Sequence, residues 1–193
     1  AARRLIKLAG VPVAAPSANL SGRPSPTLAD HVWEDMNGKI DLLLDGGAVG
    51  IGLESTIIDV SGQVPALLRP GAVTVEMAEQ IIGRIEIDPA VTGKPDPDAR
   101  PKSPGMKYRH YAPQARLLLV QGELEAVVNV INRLAQEQQE HGLQVGIICT
   151  EETRARYRHG LIRCIGSRNQ EETIAHNLFA VLREFDSLNV DVI

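Results

Sequence analysis

A loop of small polar residues follows the first apolar run of the chain and has the composition of a ligand site. Residues 16–27 are dense in Ser, Asn, Gly and Pro and come directly after the run Val11 to Ala15. They offer hydroxyls, a side-chain amide and backbone N–H groups with little side-chain bulk. Small-molecule sites are common on loops at strand ends. Ser-Gly-Arg-Pro alone would indicate a surface turn, so the prediction of a binding loop depends on similar segments elsewhere.

Three further segments have the same polar character: residues 45–52, 54–56 and 68–71. The glycines of residues 45–52 would let a ligand approach the backbone closely. Arg69 stands at a predicted strand end, and its planar guanidinium suits phosphate or carboxylate. These segments contain no His or Cys to activate a serine, which argues against Ser–His hydrolysis. The combination favours a nucleotide site that positions reactants and neutralises charge.

Ordinary structural roles remain alternatives for the same residues. Arg69 alone is more often a surface ion-pair former, Ser55 a plain strand residue and Asp45 a turn residue. His110, between Arg109 and Tyr111, could be a solvated side chain. No cluster of carboxylates or histidines predicts a metal site built from protein ligands alone.

Composition places the chain among globular proteins. It has 193 residues, of which 44% are hydrophobic and 3% aromatic, so its core must be aliphatic. The net charge of -4 argues against a protein wrapped in nucleic acid. Cys149 and Cys164 sit in apolar runs and are interpreted as buried small hydrophobes in a reducing compartment. Because the chain shows neither a signal peptide nor a long apolar run, we expect a cytoplasmic protein.

Prolines between residues 88 and 105 separate two parts with different patterns. Such a stretch cannot continue a helix or a central strand, so residues 88–113 are predicted as a linker between domains 1–87 and 114–193. The first part predicts helices at 1–9, 28–36 (capped by Thr27) and 75–82 (capped by Thr74), and strands at 11–15, 40–44, 54–60 and 65–69. The second predicts strands at 117–120, 145–149, 161–165 and 190–193, and helices at 123–140, 151–158 and 171–185. Their alternation indicates a parallel, doubly wound sheet.

The linker ends in residues 103–113, which hold two of the chain's three tyrosines among basic residues. Aromatic side chains are unusual in solvated spacers, so Tyr108, His110 and Tyr111 are predicted to close over a binding site as a lid. The chain begins inside an amphipathic pattern and ends in the apolar run 190–193. We therefore expect it to be a fragment of a longer protein.

Four runs of residues, in this order, resemble the Sua5/YrdC/YciO family: APSANLSGRPSPT, DGG with GLESTIID, LLRPGAVT and SPGMKYRHYAP. The last run and the α/β pattern after it are similar to the two-domain Sua5 type. The resemblance covers essentially the whole chain. It implies an α/β fold: part of a YrdC-like twisted open sheet domain, a linker, and an incomplete Rossmann-like, parallel-sheet Sua5 domain.

The resemblance also implies an activity, the conversion of L-threonine, bicarbonate and ATP into threonylcarbamoyl-AMP and pyrophosphate. Such a nucleotidyltransferase would bind Mg²⁺ with ATP and supply the t6A modification at position 37 of tRNA. Its expected partners are the downstream t6A transferase machinery and tRNA, with no membrane. One alternative is a YrdC-type module that binds nucleotide or RNA without catalysis. Another is that the C-terminal domain is a regulatory or docking element.

Site residues implied by the resemblance follow the motifs of the family. Those that match nucleotide-binding positions are Ser17 and Asn19, the SxN half of a KxR/SxN signature, with Ser25 and Arg69. Those that match threonine-binding positions are Ala15 and Ser55. The lid would contain Tyr108, His110 and Tyr111. The KxR half of the signature precedes these motifs and is missing from the chain, so no catalytic residue is identified and the chain alone is expected to be inactive.

Overall fold

The structure is a computed structural model that describes residues 2–93 and 112–193. These residues form two compact units, the first made of residues 2–52 and 112–193 and the second of residues 53–93. Helices alternate with strands of parallel and antiparallel sheets, which confirms the predicted α/β class. The domain boundaries at residues 87 and 114 stay a prediction.

The described elements, in chain order, are α1 (Ala2–Ala9), α2 (Ala29–Met36), β1 (Ile57–Asp59), β2 (Ala66–Arg69), α3 (Val75–Ile82), β3 (Glu86–Ile87), α4 (Pro89–Thr92), α5 (Leu124–Glu140), β4 (Gly146–Cys149), α6 (Glu151–Arg154), β5 (Leu161–Cys164) and α7 (Glu171–Ser187). The long helices α5 and α7 confirm the two strongest helical patterns of the sequence. No helix in the described part of the chain is long and apolar enough to cross a membrane.

A short parallel sheet forms the centre of the first unit. β4 and β5 pair in register, with Cys149 opposite Cys164, and Val192 bridges to Val145 just before β4. Ile147 of β4 packs on the α5 side, whereas the next residue, Ile148, packs on the α7 side. Because successive strand residues point to opposite faces, α5 and α7 cover the two faces of this sheet.

The second unit has a three-stranded sheet in the order β1-β2-β3, with β1 and β2 antiparallel and β2 and β3 parallel. Leu67 of β2, Ala78 of α3 and Ile85 form its core. Helix α3 has the predicted bounds because both of its ends are locally encoded. The Thr74 hydroxyl accepts a backbone N–H at 3.3 Å, and Gly83 takes the positive φ (78°) that ends the helix.

Two strands predicted in the first unit are wrong. Residues 11–15 and 40–44 form no strand, and side chains such as Val11 (60% exposed) and Leu42 (73% exposed) are not buried. An apolar run becomes a strand only when a neighbouring strand satisfies its backbone groups. Within residues 2–93 and 112–193 neither run has such a neighbour.

Other predicted elements differ in extent. The strand predicted at 54–60 shrinks to β1, and the helix predicted at 151–158 shrinks to α6. The runs 117–120 and 190–193 form no strand; Val192 makes isolated bridges to Arg116 and Val145. A short helix, α4, forms in the stretch predicted to lack one, because Pro89 starts it and the Asp88 carboxylate accepts the Ala90 N–H at 3.0 Å.

The predicted cap of α2 is also wrong. Leu28, not Thr27, is the residue before the first turn, and no side chain caps this end. Thr27 instead turns inward: its N–H donates to Nδ1 of His31 at 3.1 Å. Burial and the charge of Arg183 lower the pKa of His31, which keeps the ring neutral and able to accept this bond.

We expect Phe185→Ala to lower the free energy of unfolding by about 3–5 kcal/mol, since its ring is fully buried (0% exposed). The ring lies directly over Gly146, where an added Cβ would come within 2.9 Å of it. Urea unfolding of the full-length protein measures the change. Leu188→Ala, at an exposed position just after α7, should cost less than about 0.5 kcal/mol. Equal losses for the two variants would contradict the packing described here.

Candidate functional site

The loop of residues 16–27 is folded on its own polar side chains. The Ser17 hydroxyl donates to Oδ1 of Asn19 at 2.5 Å. The Asn19 amide in turn donates to the carbonyls of Leu20 (2.9 Å) and Arg23 (3.0 Å). Ala18, between the two side chains, takes a positive φ of 57°, which is unusual for a residue with a Cβ. The structure thus brings two predicted nucleotide ligands together and fixes how they face each other.

Two other predicted site residues lie just before the loop and near its C-terminal end. Ala15 is exposed, and Ser25, four residues before α2, is half-buried. Segment 45–52 joins the far end, where the Val49 N–H donates to the Thr27 carbonyl at 3.0 Å. Within that segment the Asp45 side chain accepts the Gly47 N–H at 2.8 Å. Asp45 therefore has the turn role that was considered for it.

Asp35 of α2 holds the loop and was missed by the sequence analysis. Its buried carboxylate accepts the Leu20 N–H at 3.2 Å and forms an ion pair with Arg23. A third partner is Arg183 of α7, whose Nη2 lies 2.7 Å away. Burial alone would raise the pKa of Asp35, but these hydrogen bonds and charges outweigh it and lower the pKa. His31 and Asp35 lie four residues apart and are both buried, a spacing that could have indicated an inward polar face.

A second carboxylate, Asp186 of α7, has a pKa shifted in the opposite direction from that of Asp35. Burial raises the pKa of Asp186. The hydrogen bond from the Gln114 N–H (2.8 Å) and the charges of Arg23 and Arg183 lower it, but by less, so the pKa is raised overall. Its Oδ2 accepts no hydrogen bond from the described residues. The protein therefore stabilises the charge of Asp35 and disfavours that of Asp186.

In the second unit, Arg69 and Ser55 are in direct contact. The guanidinium donates from Nε to the Ser55 carbonyl (3.0 Å) and from Nη2 to the Ser55 hydroxyl (2.9 Å). Its Nη1 lies 3.8 Å from a Glu54 carboxylate oxygen. The ion-pair role considered for Arg69 is therefore present in the structure, and Ser55 orients the same guanidinium. Phosphate binding by Arg69 stays a prediction.

The segment after Arg69 packs against the same stretch of backbone. Thr56 donates its hydroxyl to the Val73 carbonyl at 2.6 Å and accepts the Val73 N–H at 3.1 Å. A Cβ at Gly71 would overlap the backbone of residues 54–56, so only glycine fits there. The two motifs that contain Ser55 and Arg69 are therefore braced at several points.

Within residues 2–93 and 112–193, the remaining potential metal ligands and the buried Cys149 thiol give no competing site. Burial raises the pKa of the Cys149 thiol to about 11, so it is not a ready nucleophile. Among the residues that the structure describes, no group of three or more His, Cys, Asp or Glu side chains could hold a metal ion. The predicted lid residues Tyr108, His110 and Tyr111 lie outside the described residues.

Two family models match the chain. Residues 1–71 match the Sua5_yciO_yrdC model, described as "Telomere recombination", and residues 73–193 match "Threonylcarbamoyl-AMP synthase, C-terminal domain". The chain is similar to the threonylcarbamoyl-AMP synthase of Bacillus subtilis, with 46% identity over 98% of this chain and 53% of the relative. It is also similar to that of Pyrococcus abyssi, with 47% identity over 100% of this chain and 54% of the relative. The Schizosaccharomyces pombe enzyme is 39% identical over 98% of this chain and 48% of its own length. The chain spans about half the length of these curated relatives.

Two solved structures have the same fold. P. abyssi Sua5 complexed with L-threonine superposes with a TM-score of 0.87 at 46% identity, over 98% of this chain and 54% of that one. A variant of P. abyssi Sua5, with adjacent His and Tyr residues replaced by Ala, gives 0.89 at 45% identity, over 100% and 53%.

The two buried carboxylates should respond differently to amide replacement. Asp35 has a lowered pKa, so the stability it contributes is present above its unfolded pKa of about 3.8 and is lost as the pH falls through its folded value. Asp186 has a raised pKa, so its contribution is present at low pH and lost as the pH rises through its folded value. We expect Asp35→Asn to lower stability at pH 7 by about 3–5 kcal/mol and Asp186→Asn not to lower it.

Urea unfolding of the full-length protein between pH 3 and pH 8 measures this difference. Asp35→Asn should also flatten the acid limb of the stability curve. Similar losses for the two variants at pH 7 would show that the assigned electrostatics are wrong.

Proposed function

The chain belongs to the Sua5/YrdC family, and from that membership we propose that the full-length protein makes threonylcarbamoyl-AMP and pyrophosphate from L-threonine, bicarbonate and ATP. The observation that carries the proposal most is the fold match, at 46% identity, to a Sua5 protein complexed with L-threonine. The product would supply t6A modification of tRNA position 37 in the cytoplasm, through a downstream transferase.

Substrate positions follow from the two clusters of polar residues. Ser17, Asn19, Ser25 and Arg69 would bind the nucleotide, with the Arg69 guanidinium suited to its phosphates. Ala15 and Ser55 would bind threonine. The contact between Arg69 and the Ser55 hydroxyl supports this assignment, because a guanidinium suited to phosphate lies beside a hydroxyl suited to an amino acid.

The chemistry needs no nucleophile from the protein. The threonine amine combines with bicarbonate, releasing water, to give a carbamate. A carbamate oxygen then attacks the α-phosphorus of ATP, and pyrophosphate leaves. The protein's part is to align the two substrates and to balance phosphate charge, which suits hydroxyls, an amide and a guanidinium.

Mg²⁺ would enter as a complex with ATP. Among the described residues no cluster of three or more potential ligands is present, so none of them is assigned to the ion. The chemistry that it supplies is the screening of charge on the triphosphate.

The full-length protein should release pyrophosphate from ATP only when L-threonine and bicarbonate are both present. A coupled pyrophosphate assay, with mass spectrometry of the adenylate, measures this. Release that ignores threonine, or none at all with ATP still bound, would contradict the proposal and favour a module that binds nucleotide or RNA without catalysis.

In the same protein Arg69→Ala should weaken ATP binding by about 1.5–3 kcal/mol, the value of a charge-assisted hydrogen bond. Arg84→Ala is the matched control, since Arg84 is an exposed arginine of the same unit that pairs with Glu86. Its ATP affinity, from calorimetric titration, should be unchanged. Equal effects of the two variants would remove Arg69 from the site.

Residues 103–113 would act as a lid over the bound substrates. Ala112, the first described residue after residues 94–111, donates its N–H to the Gly22 carbonyl at 3.2 Å. This bond ties the end of the segment to the loop that contains Ser17 and Asn19. The His-Tyr pair at 110–111 is the sole His-Tyr pair in the sequence, and an adjacent His and Tyr were replaced in the P. abyssi Sua5 variant.

A lid should become protected from hydrogen exchange when ATP and threonine are added, because closure would exclude water from a reactive mixed anhydride. Exchange across residues 103–113 of the full-length protein, with and without both substrates, measures this. Tyr111→Ala should lower turnover, whereas Tyr157→Phe, in the core of the first unit, should not. Protection that is already complete without substrates would identify a permanent anchor.

A further inference from the structure

We propose that Arg183, in the C-terminal helix α7, is a positioning residue for the loop of residues 16–27, and that α7 thereby sets the affinity for ATP. The loop contains Ser17, Asn19 and Ser25, so the effect on ATP rests on the function proposed above. The structural part, that Arg183 fixes the conformation of the loop, stands without it.

Arg183 is almost completely buried (1% exposed) and holds two parts of the first unit at once. Its Nε donates to the Pro24 carbonyl at 2.8 Å, inside the loop. Its Nη2 donates to the Asp35 carboxylate at 2.7 Å, in α2. A single rigid guanidinium therefore fixes the separation between the loop and the helix that follows it.

Asp35 passes this constraint on to the loop backbone. The carboxylate oxygen that accepts from Arg183 also accepts the Leu20 N–H, and the other oxygen pairs with Arg23. The Asn19 amide donates to the carbonyls of these same two loop residues, and Asn19 accepts from Ser17. Hydrogen bonds joined through Leu20 and Arg23 thus connect the guanidinium to the two predicted nucleotide ligands.

Packing of α7 does not require an arginine at this place. The helix is already held to its sheet by an apolar cluster that contains Val181 and Phe185. Replacing a buried ion pair by apolar side chains of similar volume is often neutral or stabilising. Other charges near the guanidinium are Glu34, 3.9 Å from Nη1, and Asp186 one turn further along α7. The arginine is therefore better explained by the geometry that it imposes on the loop.

The loop has a conformation that needs such support. Ala18 is held at a positive φ of 57°, which persists in a non-glycine residue only when its surroundings fix it. Without Arg183, the Asp35 carboxylate would be left in the interior with fewer partners, and the bonds to Leu20 and Arg23 would rearrange. Ser17 and Asn19 would then lose their mutual orientation, and displacements of about 1 Å can lower rates 100-fold.

The test compares Arg183→Met with Val181→Ala in the full-length protein. Both substitutions are in α7, but Val181 packs on the sheet and has no contact with the loop among its cluster partners. We expect Arg183→Met to raise the KM for ATP at least 10-fold, with less than a 3-fold change in the KM for threonine. Val181→Ala should lower the unfolding midpoint and leave both KM values unchanged. Arg183→Lys, which reaches Asp35 but lacks the second arm to Pro24, should give an intermediate KM for ATP.

Two results would overturn the proposal: an unchanged KM for ATP in Arg183→Met, or an equal rise in Val181→Ala. If Arg183→Met does not fold, Arg183→Lys decides, and an unchanged KM for ATP in that variant overturns the proposal too. Hydrogen exchange of residues 17–23 separates this inference from the proposed function. Faster exchange in Arg183→Met than in Val181→Ala supports the positioning role even if the protein makes no pyrophosphate, and equal exchange refutes it.

Discussion

The buried ion pair between Arg183 and Asp35 is the interaction on which the candidate site of the first unit depends. Taking two charges out of water costs several kcal/mol per ion, and only good geometry and further hydrogen bonds offset that cost. Here the offset comes from the loop itself, through the Leu20 N–H, the Arg23 side chain and the Pro24 carbonyl. The loop and the ion pair therefore stabilise each other.

The elements that were predicted well from the sequence are those whose signals are local. Helix α3 has a capping Thr74 and a terminating Gly83, and α5 and α7 have apolar residues at helical spacing over several turns. The runs at 11–15 and 40–44 carry an equally clear apolar signal, yet form no strand. Strand formation depends on a partner that is distant in sequence, and no pattern within the run can supply that information.

The candidate site divides in the same way. Ser17, Asn19 and Arg69 were predicted as site residues because small polar residues near glycine and proline, or a cation at a strand end, are typical of ligand sites. Arg183 and Asp35 have no such neighbouring residues in the sequence, and each resembles an ordinary charged residue on an amphipathic helix. Their contact joins positions 148 residues apart, so their role becomes visible only when the fold brings them together.

The register of the parallel sheet has a practical consequence for spectroscopy. The chain's two cysteines lie opposite each other on β4 and β5, where Cys149 is buried and Cys164 half-buried. Maleimide dyes attack thiolates, and a thiol with a pKa of about 11 offers almost none at neutral pH. A cysteine introduced at an exposed loop position would therefore be labelled in preference to Cys149. Fluorescence from such a dye could follow the loop in real time, with the native β4 thiol left in place.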